Sequence, residues 1–350
     1  MYFAIIDCGT TNSRIYLLDE NYQVIKKGNR KIGVRDTAIH GSNKVLKLGL
    51  KKLIEETVLS SGLKIQDIKF AITFGMITSE IGLIEIPHLW VPVTIEDLAE
   101  NIKEVRDVNI FPIDIPVYFI RGIKNYFPDN ATYKDIRKID FMRGEETQVA
   151  GLLELYPELS LPLTVVILSS HTKYIYINKK KQICGSLTNM SGQIYEALKK
   201  ETNVGKSIKG NEPKKNLDFF DVDIIRTAYD SVQNAGFLRS LIMPRFMEVL
   251  LQTKWYEREL FVNSAICVDD LKVLNDFKLL DISLTDSSYL LVGHKIRCNI
   301  LSYMLKEYHK VENEIKIISN KEEIDQLSIQ GAIAIAKKVG YLKGENNDGL

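Results

Sequence analysis

The chain has 350 residues, of which 45% are hydrophobic and 26% charged, with a formal net charge of +1. This length favours two domains over one, and the composition is that of an ordinary globular protein. Because the charges nearly balance, no overall field recruits nucleic acid or an anionic membrane, and the apolar runs are too short to span a bilayer. We therefore expect neither nucleic acid nor a membrane as a partner.

The cysteines and the N-terminus indicate a reducing compartment. Cys8, Cys184, Cys267 and Cys298 form no CxxC pair and fit no zinc spacing. The first residues lack the basic region and the sustained apolar core of a secretory signal. We therefore expect a cytoplasmic location.

The N-terminus predicts a strand, a tight turn and a second strand. The apolar runs 2–6 and 15–18 flank Asp7 and the turn residues Gly9, Thr10, Thr11 and Asn12. Gly9 permits close backbone approach, and the three polar residues offer donors to phosphate oxygens. Asp7, at the end of a buried strand, is suited to hold Mg²⁺ directly or through water. A plain β-hairpin turn explains the same residues equally well.

The remainder of the first half alternates strands and helices. The predicted elements are strands at 23–27 and 68–72, helices at 43–59 and 95–105, and a strand within 108–120. Leucines spaced along one face support the first helix, and Thr94 is the expected cap of the second. Pro112 and Pro116 interrupt the last strand.

A polar block opens the second half. Arg143, Gly144, Glu145, Glu146 and Gln148 directly precede an apolar run that is typical of a helix. A helix start needs one capping residue and one acid in its first turn, so this combination favours a role with a polar substrate. The alternative is a well-capped surface helix with an acidic first turn.

The second half repeats the order of the first. Its predicted elements are strands at 163–168, 174–177, 182–187, 288–292 and 315–318, helices at 193–200, 294–308 and 322–339, and a helical insert at 217–276. Two such halves predict similar α/β lobes with a ligand cleft between them. The boundary is expected within 126–139, which gives a first lobe at 1–138 and a second at 139–350. The last helix is expected to pack back on the first lobe.

This element order resembles that of the hexokinase, actin and Hsp70 superfamily, the actin-like ATPase (ribonuclease H-like) fold. Within it, the chain is similar to the 2-dehydro-3-deoxygalactonokinase family. The resembling segments are IIDCGTTNSR at 5–14, GMITSEIG at 75–82 with IPHL at 86–89, MRGEETQ at 142–148, SHTK at 170–173 and MSG at 190–192. The block at 142–148 is the most specific of them.

The resemblance implies a kinase that uses MgATP to phosphorylate the terminal hydroxyl of a 2-keto-3-deoxy sugar acid. By position, Asp7 serves Mg²⁺, and Glu145 takes the proton of the accepting hydroxyl with Glu146 in reserve. The residues expected to bind the nucleotide are Gly9, Thr10, Thr11, Asn12, Ser169, Ser170, His171, Lys173 and Gly293.

The same resemblance implies a site for an anionic acceptor. Arg143 and Arg35 are the candidates for its carboxylate, because a guanidinium binds a carboxylate through two parallel hydrogen bonds. Arg14 contacts either the substrate or a phosphate. Ser79 and Gln148 complete the expected substrate contacts. ATP and the sugar acid are the expected partners, and a homodimer is left open.

The chain departs from the family pattern in its second phosphate turn. Leu168-Ser169-Ser170-His171 stands where the family usually has Pro-Gly-Thr-His, and Gly293-His294 replaces a Gly-Thr. Ser169 puts a Cβ where the backbone should approach a phosphate. Two alternatives therefore stay open: a kinase-like sugar-acid sensor that has lost efficient transfer, and a kinase for a different sugar or sugar acid.

Overall fold

The computed structural model describes residues 1–210 and 219–342. The first part of the chain contains β1 (Tyr2–Cys8), β2 (Ser13–Leu18), β3 (Val24–Arg30), α1 (Val34–His40), α2 (Lys44–Ser60), β4 (Ile68–Gly75), β5 (Leu89–Trp90), α3 (Ile95–Glu100), β6 (Lys103–Val105), β7 (Val117–Phe119), β8 (Ile123–Lys124) and β9 (Phe141–Met142). Short 3-10 helices lie at Ile65–Asp67, Met76–Thr78 and Tyr133–Lys138.

The later part contains α4 (Glu145–Leu155), β10 (Leu163–Leu168), β11 (Thr172–Ile177), β12 (Ile183–Asn189), α5 (Ser191–Glu201), α6 (Val204–Ser207), α7 (Val222–Ala235), α8 (Phe237–Val249), α9 (Trp255–Asp270), β13 (Ser288–Gly293), α10 (Lys295–Glu307), β14 (Ile315–Ile318) and α11 (Lys321–Val339). A 3-10 helix follows α9 at Leu271–Leu280.

Two mixed sheets repeat one arrangement. Their strand orders are β3-β2-β1-β4-β7-β6 and β12-β11-β10-β13-β14. In each sheet the first strand is antiparallel to the second and parallel to the strand that follows the helices. The structure therefore confirms the duplicated α/β order and the actin-like fold class.

The central strand β1 is buried on both faces, which explains its continuous apolar run. Phe3 and Ile5 join a core that also contains residues of the second sheet, whereas Ala4 and Ile6 join a core with α2. The predicted α2 is confirmed, and its leucines face that second core.

The predicted helix at 95–105 is wrong in its second half. Thr94 caps α3 as expected, because its Oγ1 accepts the Asp97 N–H at 3.1 Å, but α3 ends at Glu100. Lys103–Val105 instead form β6, which pairs antiparallel with β7 at the edge of the sheet. Lys103 and Glu104 are exposed there and Val105 is buried, so edge pairing overrides helix propensity.

Helices α7, α8 and α9 and the following 3-10 helix occupy the predicted insert, whose first two residues, 217–218, lie outside the described residues. Neither α1 nor the small sheet β5-β8-β9 was predicted. In this small sheet, β9 follows the predicted boundary at 138 and pairs with β8, which precedes it. The division into lobes at 138 stays a prediction. No helix in residues 1–210 and 219–342 is long and apolar enough to cross a membrane.

Helices α4 and α11 cross between the two sheets. A Cβ on Gly151 would lie 1.8 Å from the Leu327 carbonyl oxygen, and a Cβ on Gly331 would lie 1.8 Å from that of Thr147. Only glycine fits at these two positions, so the helices are in backbone contact. Helix α11 also contacts α3, β1 and β4. This crossing holds the N-terminus of α4 at the cleft.

Candidate active site

The first phosphate-type turn follows β1. The Gly9 N–H donates to the Asn12 carbonyl at 2.9 Å and closes the turn, while Thr11 and Asn12 are exposed. The start of α1 packs beneath it, because the Arg35 N–H donates to the Thr10 carbonyl at 2.9 Å. The turn is thus held from below, and its polar residues face solvent.

Asp7 precedes this turn and pairs with Arg14 across the β1–β2 ladder. Arg14 Nη1 donates to Asp7 Oδ2 at 3.0 Å. Burial raises the pKa of Asp7, the Arg14 charge opposes that rise, and the charges of Glu145 and Asp325 add to it. Arg14 is the ion-pair partner of Asp7 and stays 46% exposed, so its contact with substrate or phosphate remains a prediction.

Gly144 and Gly75 bring the start of α4 and the end of β4 together next to Asp7. Both have positive φ, +112° and +87°, which favours glycine. A Cβ on Gly144 would lie 3.4 Å from the Gly75 Cα, and a Cβ on Gly75 would lie 3.5 Å from Asp7 Oδ1. The start of α4 is therefore adjacent to the end of β1, and Glu145 follows directly.

The two adjacent glutamates have different surroundings. Glu146 is fully buried, and both of its carboxylate oxygens accept the Gly144 N–H at 2.8 Å. Burial, followed by the Glu145 charge, raises the pKa of Glu146 to about 8. Glu145 is partly exposed and interacts electrostatically with both Asp7 and His171. This geometry favours Glu145 over Glu146 as the group that meets a ligand.

The second phosphate-type turn connects β10 to β11. The Ser169 N–H donates to the His171 carbonyl at 3.0 Å, and Ser169 and Ser170 are exposed. Gly192 packs behind the turn, since a Cβ there would lie 2.1 Å from the Ser169 carbonyl oxygen. Burial and the Lys173 charge lower the pKa of His171, so the imidazole is neutral at pH 7. The two turns and Glu145 therefore surround one cleft.

Lys173 does not reach this cleft. The side chain is 5% exposed, donates to the Phe141 carbonyl at 2.7 Å and lies 3.5 Å from Asp140. The expected phosphate contact is replaced by a buried ion pair, because β11 turns this side chain toward β9.

The expected substrate residues separate into three groups. Arg143 reaches from the start of α4 to the segment between β4 and β5. It donates to Thr78 Oγ1 at 2.6 Å and to the Ile86 carbonyl at 2.9 Å. Arg35 is exposed beside the first turn. Ser79 is 2% exposed and donates to the Met76 carbonyl within its own turn, and Gln148 Nε2 donates to Ser328 on α11. Arg143 and Arg35 keep donors that a ligand can reach, as does exposed Arg14, which gives only Nη1 to Asp7.

A cavity of about 540 Å³ adjoins the second turn. Its lining includes Ser169, Ser170, Gly192, His294 and Arg297. Gly293 has φ +148°, and a Cβ there would lie 2.6 Å from the Leu168 carbonyl oxygen. The end of β10 and the start of α10 are thus in close contact beside this cavity.

Sequence reasoning missed a buried carboxylate, Asp270, next to the second turn. Asp270 is 3% exposed and accepts from Thr172 Oγ1 at 3.1 Å, Asn189 Nδ2 at 3.1 Å and Arg297 Nη2 at 3.3 Å. Ser191 also donates to it. Asp270 therefore joins the end of the second turn to α5 and α10. The position of Asp270 after the apolar run 265–268 was a signal that could have found it.

Mg²⁺ is the metal that the fold implies. Among the described residues no cluster of three or more metal-ligating side chains occurs. Mg²⁺ in kinases is bound by substrate phosphates and one or two carboxylates, with waters completing the octahedron. Asp7 and Glu145 supply two mutually repelling carboxylates beside the turns. The residues present therefore fit a phosphate-bound Mg²⁺.

Comparisons with known proteins identify the family and the fold. The sequence model of the 2-keto-3-deoxy-galactonokinase family matches residues 7–259. The crystal structure of a candidate 2-dehydro-3-deoxygalactonokinase from Sinorhizobium meliloti matches with a TM-score of 0.66 at 16% identity, covering 96% of this chain and 99% of that one.

The activator of the 2-hydroxyisocaproyl-CoA dehydratase from Clostridium difficile, solved with bound ADPNP, matches with a TM-score of 0.50 at 11% identity over 100% of both chains. At these identities the two structures show the fold alone. No curated protein matches the sequence.

Proposed function

The chain belongs to the 2-keto-3-deoxy-galactonokinase family and is a sugar-acid kinase, and from this premise we propose that it transfers the γ-phosphoryl group of ATP to the terminal hydroxyl of 2-dehydro-3-deoxygalactonate. The observation that carries the proposal is the convergence of Asp7 at the end of β1 and Glu145 at the start of α4 beside two phosphate-type turns. We also propose that the reaction takes place in the cytoplasm.

Glu145 is the proposed general base. The acceptor oxygen forms a bond to the γ-phosphorus, the bond from that phosphorus to the bridging oxygen of ADP breaks, and the hydroxyl proton passes to a Glu145 carboxylate oxygen. Phosphoryl transfer is largely dissociative, so the carboxylate orients the hydroxyl and takes its proton late. Partial exposure of Glu145 and full burial of Glu146 support this assignment.

The nucleotide is proposed to lie in the cavity beside α10. Thr11 and Asn12 from the first turn and Ser169 and Ser170 from the second are exposed and can donate to phosphate oxygens. A structure of similar fold was solved with bound ADPNP, which supports ATP as the phosphoryl donor. Mg²⁺, when bound, neutralises charge on the phosphates, and Asp7 is the residue we propose to hold it.

The acceptor is an anion and needs a cation. Arg143 keeps N–H groups beyond those given to Thr78 and Ile86, and it precedes Glu145 by only two residues. We propose Arg143 as a ligand of the acid, with exposed Arg35 as the other candidate. Arg143 would then contact both the substrate and the segment between β4 and β5.

An assay of ADP release tests the function directly. Wild-type protein with MgATP is expected to release ADP with 2-dehydro-3-deoxygalactonate and not with neutral sugars. Release with another sugar acid only would move the assignment to a different acceptor. No release with any acid would contradict the kinase assignment.

Ser169 supports a second candidate function, a sensor that binds the acid without transfer. Its Cβ stands in an exposed turn where a phosphate would approach. Calorimetry separates the two functions, because a sensor binds the sugar acid and shows no binding of ATP.

A further inference from the structure

One face of the small sheet β5-β8-β9 carries aromatic and cationic side chains. Trp90 pairs with Lys124, and Lys124 pairs with Phe141, so these three lie side by side across the strands. His88 and Arg143 lie two residues from Trp90 and Phe141 on the same face, because side chains alternate along a strand. We name this set of five residues the acid face.

Gly122, which directly precedes β8, lets His88 and Arg143 pack closely. A Cβ on Gly122 would lie 2.6 Å from Arg143 Cγ and 2.8 Å from His88 Cδ2. Arg143 and His88 therefore meet over Gly122, with Arg143 Nη2 3.4 Å from His88 Nδ1. Burial, followed by the charges of Arg143, Lys124 and Lys173, lowers the pKa of His88 to about 4. His88 is neutral at pH 7, so the positive charge of the face comes from Lys124 and Arg143.

The two aromatic residues of the acid face, Trp90 and Phe141, are open to solvent. Trp90 is 42% exposed and Phe141 is 54% exposed. Lys124 Nζ lies 3.7 Å from the centroid of the Trp90 ring. A cation–π contact of this kind holds an ammonium in place and keeps its N–H donors available. Lys124 is thus a positioned donor on an exposed aromatic surface.

Neither cation of the face has a salt-bridge partner. Within the part of the chain that the structure describes, no carboxylate lies within 4.0 Å of Lys124 or Arg143. Asp140 is paired with Lys173. Glu146, Glu80 and Glu85 act on Arg143 from a greater distance; Glu146 accepts the Gly144 N–H, and Glu80 and Glu85 are exposed. Burial lowers the pKa of Arg143, a cost that a bound anion would offset.

Glu145 follows Arg143 by two residues, so the face ends at the candidate base. We propose that the acid face binds the carboxylate end of the acceptor sugar acid through Lys124 and Arg143, with the opposite end of the molecule at Glu145. This inference rests on the proposed function and adds Lys124 as a determinant of the preference for acids. The Trp90 ring lies against Lys124 and holds this cation on the surface that the anion would approach.

Kinetics of Lys124→Met test the proposal, because methionine keeps the apolar stem and removes the charge. A hydrogen bond to a charged group predicts a rise of roughly 10- to 100-fold in KM for the acid. The KM for ATP should stay unchanged, and Lys124→Arg should restore most of the affinity. Lys69→Met is the matched control, since Lys69 is an exposed strand lysine on β4. An unchanged KM for the acid in Lys124→Met would overturn the proposal.

Tryptophan fluorescence gives a readout that needs neither turnover nor a Lys124 variant. The chain has two tryptophans, Trp90 and Trp255. Binding of 2-dehydro-3-deoxygalactonate without ATP should change the emission of the wild type and of Trp255→Phe, but not of Trp90→Phe. A change that persists in Trp90→Phe would overturn the proposal.

The outcomes separate this inference from the function on which it rests. Turnover of the acid without any effect of the Trp90 or Lys124 substitutions would refute binding at the acid face and support the kinase function. Acid binding that depends on Trp90, without ADP release, would support binding at the acid face and refute the kinase function. Absence of both acid binding and ADP release overturns both.

Discussion

Replacement of Glu145 by glutamine is the most direct test of the proposed chemistry. Glutamine keeps the size of the side chain and its hydrogen bonding but accepts no proton. Loss of a general base reduces turnover by roughly 10²- to 10⁴-fold, equivalent to about 3–5 kcal/mol of transition-state stabilisation. The structure predicts no rescue by the adjacent acid, because Glu146 is fully buried and binds the Gly144 N–H. Asp7 offers none either, since it is paired with Arg14 at 3.0 Å.

The same substitution has little effect on folding. Glu145 stands in the first turn of α4, where a negative charge contributes about 0.3–1 kcal/mol through the helix dipole. This is small against the 5–15 kcal/mol typical of a folded domain. A fall in turnover by the expected factor therefore cannot be attributed to unfolding.

The assay is ADP release at saturating MgATP and sugar acid, with ATP affinity followed separately by calorimetry. We expect a large fall in kcat and an unchanged ATP affinity for Glu145→Gln. Glu154→Gln is the matched control, because Glu154 is an exposed glutamate near the other end of the same helix. Near-normal kcat in Glu145→Gln would refute the assignment of the base, and a fall of similar size in Glu154→Gln would point to a general effect on α4.

Three further predictions concern Asp7, Ser169 and Glu146. Asp7→Asn should raise the Mg²⁺ concentration for half-maximal rate, and an unchanged Mg²⁺ titration would reduce Asp7 to a partner of Arg14. Ser169→Gly should lower KM for ATP, because the backbone of the second turn can then approach a phosphate oxygen; an equal or higher KM would argue against crowding by the Cβ. The pKa of Glu146 is raised to about 8 in the folded protein, from an ordinary value of 4.5, so the folded state binds more protons than the unfolded state between these values. The free energy of unfolding should therefore fall by up to about 1.4 kcal/mol per pH unit as pH rises through that interval, and Glu146→Gln should flatten this dependence in urea denaturation; equal slopes for both proteins would contradict the burial argument.

Most secondary structure near the site could be predicted because its signals are local. Apolar runs of β-branched residues gave β1, β10 and β14, and the leucine spacing gave α2. The predicted helix at 95–105 failed where edge pairing with β7 decided the conformation of three residues. The small sheet was missed because each of its strands has only two residues, too few for a periodic pattern.

The sequence by itself determined the turns, the polar block before α4 and the duplicated order, since each depends on neighbours within one segment. Which glutamate stays accessible was decided only by tertiary structure, because the packing around the start of α4 buries Glu146 and leaves Glu145 partly exposed. Tertiary structure likewise pairs Lys173 with Asp140. It also brings Asp270 to Thr172 and Arg297, which are 98 and 27 residues away along the chain. Burial and ion pairing arise from contacts between distant segments. The sequence therefore identifies the chemical groups, and the packing decides which of them a ligand can reach.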